Sequence, residues 1–157
     1  MTKFPIQAVL QALVTTFSLL KCDAQHLNAK LNMQQVKNAI VENNDSYFKA
    51  FTKGDSSLFI DRYTDDCWIM PSNQPTLCGP EAALDFFRVA YYQLGVRKGK
   101  FVSIDVFGDG QDFVTEIGFY HLSDAKNMAI GEGKYIVLWK KTANGWKRFR
   151  DSFSPNQ

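Results

Sequence analysis

Glu116, Lys134 and Asp151 fall on apolar, alternating stretches in the last third of the chain, where a charged side chain is least expected. A strand that turns such a group toward a core incurs a large desolvation cost unless the group pairs or works. Lys134 can neutralise Glu116 or Asp151 across a sheet as a buried ion pair. Alternatively the carboxyl groups of Asp151 and Glu116 can move protons, because burial favours the neutral form of a carboxyl and can bring its titration toward working pH. His26 and His121 are lone histidines; His26 sits in a polar stretch, and His121 alternates onto the strand face opposite Glu116. The sequence carries no metal-ligand spacing, phosphate loop or nucleophile elbow, so cofactor-free chemistry, or none, is expected.

The elements that must position these groups are strands over residues 112–122, 130–141 and 146–153. The last two join across Ala143-Asn144-Gly145, and Asn-Gly is a strong hairpin signal. A turn centred on Ala143–Asn144 sets Ile136 opposite Asp151 and Lys134 opposite Phe153. One face then carries Lys134, Ile136 and Leu138 with Phe149, Asp151 and Phe153, and is assigned to the concave side. The other carries Tyr135, Val137 and Trp139 with Trp146, Arg148 and Arg150, a mixture of rings and arginines typical of protein contacts. A one-residue slip would reverse these assignments.

Upstream, Val36, Ile40, Tyr47 and Phe51 follow helical spacing within residues 34–53, with Asn43 on the same stripe. Gly54 ends that helix, and Asp55 or Ser56 can cap a short second one over residues 58–63. A strand at residues 67–70 stops at Pro71. Gly79-Pro80-Glu81 opens a third helix that runs to about Leu94, with Phe86, Phe87 and Tyr91 on its apolar face. From Phe101 the period becomes two. Helices succeeded by a four-stranded antiparallel meander make an α+β pattern.

The chain has 157 residues, 45% hydrophobic and 14% aromatic, enough for one sizeable core and one domain over residues 34–157. Its net charge is +2 with only short basic clusters, which argues against nucleic acid. At the N-terminus, Lys3, the apolar run of residues 8–20 and Cys22-Asp23-Ala24 fit a secretory signal peptide over residues 1–24, with a linker over 25–33. A secreted or periplasmic location is therefore expected. Lipidation at Cys22 and an ordinary amphipathic helix on a cytoplasmic protein are the alternatives. An oxidising compartment would allow Cys67 and Cys78, which flank a turn-rich segment, to form a disulfide; two free thiols are the other reading.

Trp68-Ile69-Met70-Pro71, Gly79-Pro80-Glu81-Ala82, the run Gly133–Lys141 and Gly145-Trp146-Lys147 with Asp151 beyond it resemble the SnoaL-like group of the nuclear transport factor 2-like, or ketosteroid isomerase-like, superfamily. The resemblance covers roughly residues 34–153. It implies a cone-shaped curved antiparallel sheet wrapped around a long N-terminal helix, with two further helices and a pocket at the open end. It suggests a pocket near Asn43, Tyr47, Tyr63, Trp68, Met70, Phe87, Tyr91, Tyr120 and Lys134, together with Glu116 and Asp151. Isomerases of this superfamily set a carboxylate base against a tyrosine that donates to an oxyanion. Here Asp151 or Glu116 would be the base and Tyr47, Tyr91 or Tyr120 the donor. The ligand implied is a small, largely apolar molecule, handled by isomerase, cyclase or dehydratase chemistry. Dimers commonly form through the sheet in this superfamily, which fits the face bearing Tyr135, Val137, Trp139, Trp146, Arg148 and Arg150. A non-catalytic dimerising or partner-binding module with a vestigial cavity is the alternative.

Overall fold

The computed structural model describes the backbone of residues 6–156 and the side chains of residues 27–156. Helix α1 spans Ile6–Lys53, so residues 25–33 are helical and continuous with residues 34–53. Among the described side chains its packing begins around Asn32 and Met33, and the buried stripe runs Val36, Ile40, Asn43, Asn44, Tyr47, Phe48, Phe51. These positions recur at three and four residues, the spacing that keeps one helical face on a core. Gly54, at φ +66°, terminates the helix in the left-handed conformation that glycine adopts without strain. The Asp55 side chain accepts a hydrogen bond from the Ser57 N–H at 3.0 Å and caps α2, Ser56–Ile60. Among the described residues no helix is long and apolar enough to cross a membrane.

Strand β1 is Tyr63–Pro71 and β2 is the short Leu77–Cys78. Helix α3, Gly79–Arg88, has proline in its first turn and passes into a π-helical turn, Val89–Gln93. There Leu94 N–H reaches the Val89 carbonyl. Strands β3 (Lys98–Gly108), β4 (Phe113–Ser123), β5 (Ala129–Thr142) and β6 (Gly145–Pro155) complete the chain.

The meander β3-β4-β5-β6 is extended by β1, which pairs parallel to β6, and by β2, giving a six-stranded mixed sheet in the order β2-β1-β6-β5-β4-β3. The sheet is open and curves around α1. Three glycines permit that close wrapping: a Cβ at Gly99 would meet the Phe48 ring, at Gly118 the Tyr135 hydroxyl, and at Gly133 the Tyr120 hydroxyl, all well inside contact distance.

Cys67 is buried and Cys78 exposed, and both thiols are free. Cys78 lies directly opposite the exposed Trp68, so the adjacent Cys67 points to the other face of the sheet. The alternation of the strand separates the two sulfurs, and the expected bridge is replaced by two free thiols.

Candidate functional site

The site is built around an irregularity in β6. From the turn, the pairs Lys141–Trp146, Lys140–Lys147 and Trp139–Arg148 keep the register expected for a two-residue hairpin. The next pair is Leu138–Arg150, leaving Phe149 as an extra residue. A bulge of this kind re-aims the side chains beyond it. Trp146 and Arg148 therefore face inward before it, and Asp151 and Phe153 face inward after it. The face expectation is corrected accordingly. Tyr135, Val137, Trp139, Trp146 and Arg148 are buried on the concave side and form no exposed dimer face. Arg150 remains half-buried on the outer side, over the Trp68 ring at 4.5 Å. Lys134 is exposed on the convex face and neutralises neither carboxyl.

The buried cation is Arg148, which is fully enclosed. One terminal nitrogen donates to Asp151 Oδ2 at 3.1 Å and the other to Asn44 Oδ1 at 2.6 Å. Its guanidinium carbon lies 4.8 Å, 4.6 Å and 4.9 Å from the ring centres of Tyr47, Phe101 and Trp139. Burial alone would pull its pKa down, but Asp151, Tyr63, Tyr47 and Glu116 outweigh burial and push it above the ordinary arginine value. Tyr63 donates to Asp151 Oδ2 at 2.7 Å, and burial together with the Asp151 charge holds this phenol well above its ordinary pKa. The same two causes raise Tyr47.

Glu116, on β4, is completely buried and accepts four hydrogen bonds. Oε1 receives Asn44 Nδ2 at 2.8 Å, the Tyr135 hydroxyl at 2.8 Å and the Ser103 hydroxyl; Oε2 receives Trp139 Nε1 at 3.0 Å. A carboxylate, an acceptor only, can use all four donors. Asn44 bridges the two carboxyl centres by donating to Glu116 while accepting from Arg148. Burial, then the neighbouring Glu116 charge, raise the Tyr135 phenol.

Asp151 is coordinated differently. Only Oδ2 is bonded, and Oδ1 has no partner among the described residues. Asp151 lines a cavity of about 290 Å³ whose walls are Tyr47, Phe48, Phe101, Tyr120, Leu122, Tyr135 and Phe153 from α1 and the sheet, with Phe86 and Ala90 from α3 and the π turn and Leu94 and Val96 from the segment that follows. Exposed Leu94 and Pro155 lie at its rim, with Pro71 and Ser72. The π turn widens the helix where Ala90 and Leu94 meet the cavity, a placement common at functional sites. Cavities of this size accommodate small ligands, which fix their orientation through a few polar groups in an apolar wall.

Of the residues expected to line a pocket, Tyr47, Tyr120 and Asp151 do so, while Glu116 is enclosed in its own network. Tyr63 stands behind Asp151. Asn43 ties α1 to β6 by donating to the Trp146 carbonyl at 2.8 Å. Phe87 is buried between Phe51 and Phe59, and Tyr91 stacks on Phe87 with the Arg97 guanidinium 3.6 Å from its ring centre. Trp68, Met70 and Lys134 lie on the outer side of the sheet. His121 is exposed beside Glu132 at 3.5 Å, away from the cavity. His26 and residues 1–5 fall where side chains are outside the described set. Sequence reasoning missed the inward roles of Arg148, Asn44, Ser103 and Tyr135. Asn44 succeeds Asn43 on the helix stripe, and a second polar residue inside that stripe was the available signal. Among the described residues no group of three or more His, Cys, Asp or Glu could hold a metal ion.

No protein-family model matches the chain, and no curated protein matches it in sequence. Solved structures match its shape. An NTF-2-like protein of unknown function from Shewanella oneidensis MR-1 aligns with a TM-score of 0.64 at 17% identity, over 75% of this chain and 98% of that one. A ketosteroid isomerase-like protein from Erwinia carotovora atroseptica SCRI1043 aligns with a TM-score of 0.61 at 19% identity, over 78% and 94%. A Catenulispora acidiphila protein in complex with S-DNPA aligns with a TM-score of 0.67 at 11% identity, over 78% and 94%. At these identities the likeness is one of fold, and the fold is the NTF2-like cone.

Proposed function

We propose that this NTF2-like chain binds a small, largely apolar molecule in its cone, with Asp151 meeting the molecule's polar end. The observation that carries this reading is Asp151 Oδ1, without a partner among the described residues, on a largely apolar cavity of about 290 Å³. A cavity of about 150 Å³ already holds benzene, so this one accommodates a larger ring system. Turnover, in this reading, is cofactor-free proton abstraction by Asp151. Glu116 is assigned to structure, because four donors occupy its oxygens. The test is stability against a panel of ring compounds. One-site binding at about 100 times the dissociation constant adds roughly 2.7 kcal/mol to the folded state. An absence of any stabilisation across fused-ring amines, alcohols, ketones and acids sinks the reading.

A second observation supports a dimerising module. The convex face exposes Ile104, Phe119 and Ile136 beside Lys134, around a broad groove, and such a patch is unusual on a monomer. We place the homodimer contact there rather than on the ring-and-arginine face. Sedimentation of the wild type and of Ile136→Asp checks it: a dimer converted to monomer supports the contact, and a monomeric wild type removes it. Export through residues 1–24 is likewise a proposal. N-terminal sequencing of the expressed protein decides whether the segment is removed.

A further inference from the structure

The hydrogen-bond polarity of the cavity identifies the polar group its occupant must carry. Tyr63 donates its proton to Asp151 Oδ2, and Tyr135 donates its proton to Glu116 Oε1. Tyr135, a residue of the cavity wall, thus spends its only hydroxyl proton on Glu116 and has none to donate to an occupant. Asp151 Oδ1 is an acceptor with no partner among the described residues. The hydroxyls of Tyr47, Tyr120 and Ser72, the other polar side chains on the wall, rotate to suit either role. Neither Arg148 nor Trp139 lines the cavity. The terminal nitrogens of Arg148 serve Asp151 and Asn44, its unpartnered Nε is sealed in the core, and Trp139 Nε1 serves Glu116.

Charge points the same way. Among the described buried residues there are two carboxyl side chains, Glu116 and Asp151, around one guanidinium, Arg148. An anionic or acceptor-only group at Oδ1 would leave an unpaired acceptor against another acceptor, in a region where polar groups are strongly penalised if unmet. A cation or hydroxyl donor there completes the set.

We infer that the occupant is an apolar ring compound carrying a hydrogen-bond donor, an ammonium in preference to a hydroxyl, that docks on Asp151 Oδ1. Ketones and carboxylates are disfavoured. This rests on the cavity binding a small apolar molecule, and it names the class of that molecule.

The test uses four probes that share one ring system: 2-naphthylmethylamine, 2-naphthalenemethanol, 2-naphthaldehyde and 2-naphthoate. Binding to the full chain is tracked by the methyl NMR signals of Leu94, Val96 and Leu122, all on the cavity wall. The amine is expected to bind about tenfold more tightly than the aldehyde and the carboxylate, the difference one charge-assisted hydrogen bond makes, with the alcohol between. Asp151→Asn should collapse that preference while the methyl signals confirm the fold. A carboxylate or aldehyde that matches or exceeds the amine overturns the inference and leaves the cavity reading standing. Silence of the three methyl probes toward all four compounds overturns both.

Discussion

Two buried carboxyl groups, Glu116 and Asp151, are linked through Asn44 and Arg148 but are finished differently. Glu116 sits between β3, β5 and α1 with both oxygens occupied by donors from Asn44, Ser103, Tyr135 and Trp139. Asp151 has one oxygen held by Tyr63 and Arg148 and the other turned to a cavity. A fully satisfied polar network fixes a core, whereas an unmet acceptor facing open space is available to a ligand. The contrast teaches that burial of a carboxyl does not by itself mark a reactive group. The number of its lone pairs left over does.

The most severe way to disturb both centres is to remove the residue that links them. Arg148→Met should cost about 3–5 kcal/mol, because it leaves Asp151 without its cation and Asn44 Oδ1 without its donor. Urea unfolding measures this, and a loss below that of Glu116→Gln would show that the two centres are independent of Arg148. Glu116→Gln puts an amide nitrogen against donors and should cost about 2–3 kcal/mol while leaving occupancy of the cavity intact. The tyrosines attached to the two centres give a pH test. Tyr63 and Tyr135 are raised above the ordinary value of 10.0, so the folded chain keeps their protons where the unfolded chain has lost them. Stability is therefore unaffected below about pH 10 and falls above it, by up to about 1.4 kcal/mol per pH unit for each such phenol. Alkaline unfolding curves of Tyr63→Phe and Tyr135→Phe should each be shallower than that of the wild type.

Asp151→Asn retains an acceptor for Tyr63 and Arg148 but leaves the Arg148 charge buried without its ion-pair partner, so it should cost about 2–3 kcal/mol, and it should also remove the preference for a donor-bearing occupant. The smallest effect is expected at Tyr120→Phe. Its hydroxyl lies over Gly133 with no hydrogen bond among the described residues, so stability should change by less than about 0.5 kcal/mol. A large loss there would mean that the cavity, like the Glu116 centre, is a closed structural network.

The parts of this arrangement that were legible in the sequence are those governed by local rules. Gly54, Asp55 and Pro80 mark helix ends by backbone chemistry, and Asn144-Gly145 fixes the hairpin through Trp139 and Arg148. The inward turn of Glu116 and the outward turn of His121 come from simple alternation in β4. What alternation could not supply was the extra residue Phe149. One bulge exchanges Lys134 for Arg148 as the buried cation and moves the ring-bearing face of β5 from the outside to the core. Nothing in the composition of Lys147-Arg148-Phe149-Arg150 distinguishes a bulge from a regular strand. The parallel pairing of β1 with β6 was equally hidden, because it depends on a contact between residues far apart in the chain, such as Ile69 and Asp151.

The most direct test of the central claim is the ¹³C chemical shift of the two side-chain carboxyl carbons, recorded while 2-naphthylmethylamine is added. The account predicts a saturable shift at Asp151 Cγ and none at Glu116 Cδ. A shift at Glu116 as large as that at Asp151, or an amine that occupies the cavity without moving Asp151, would contradict it.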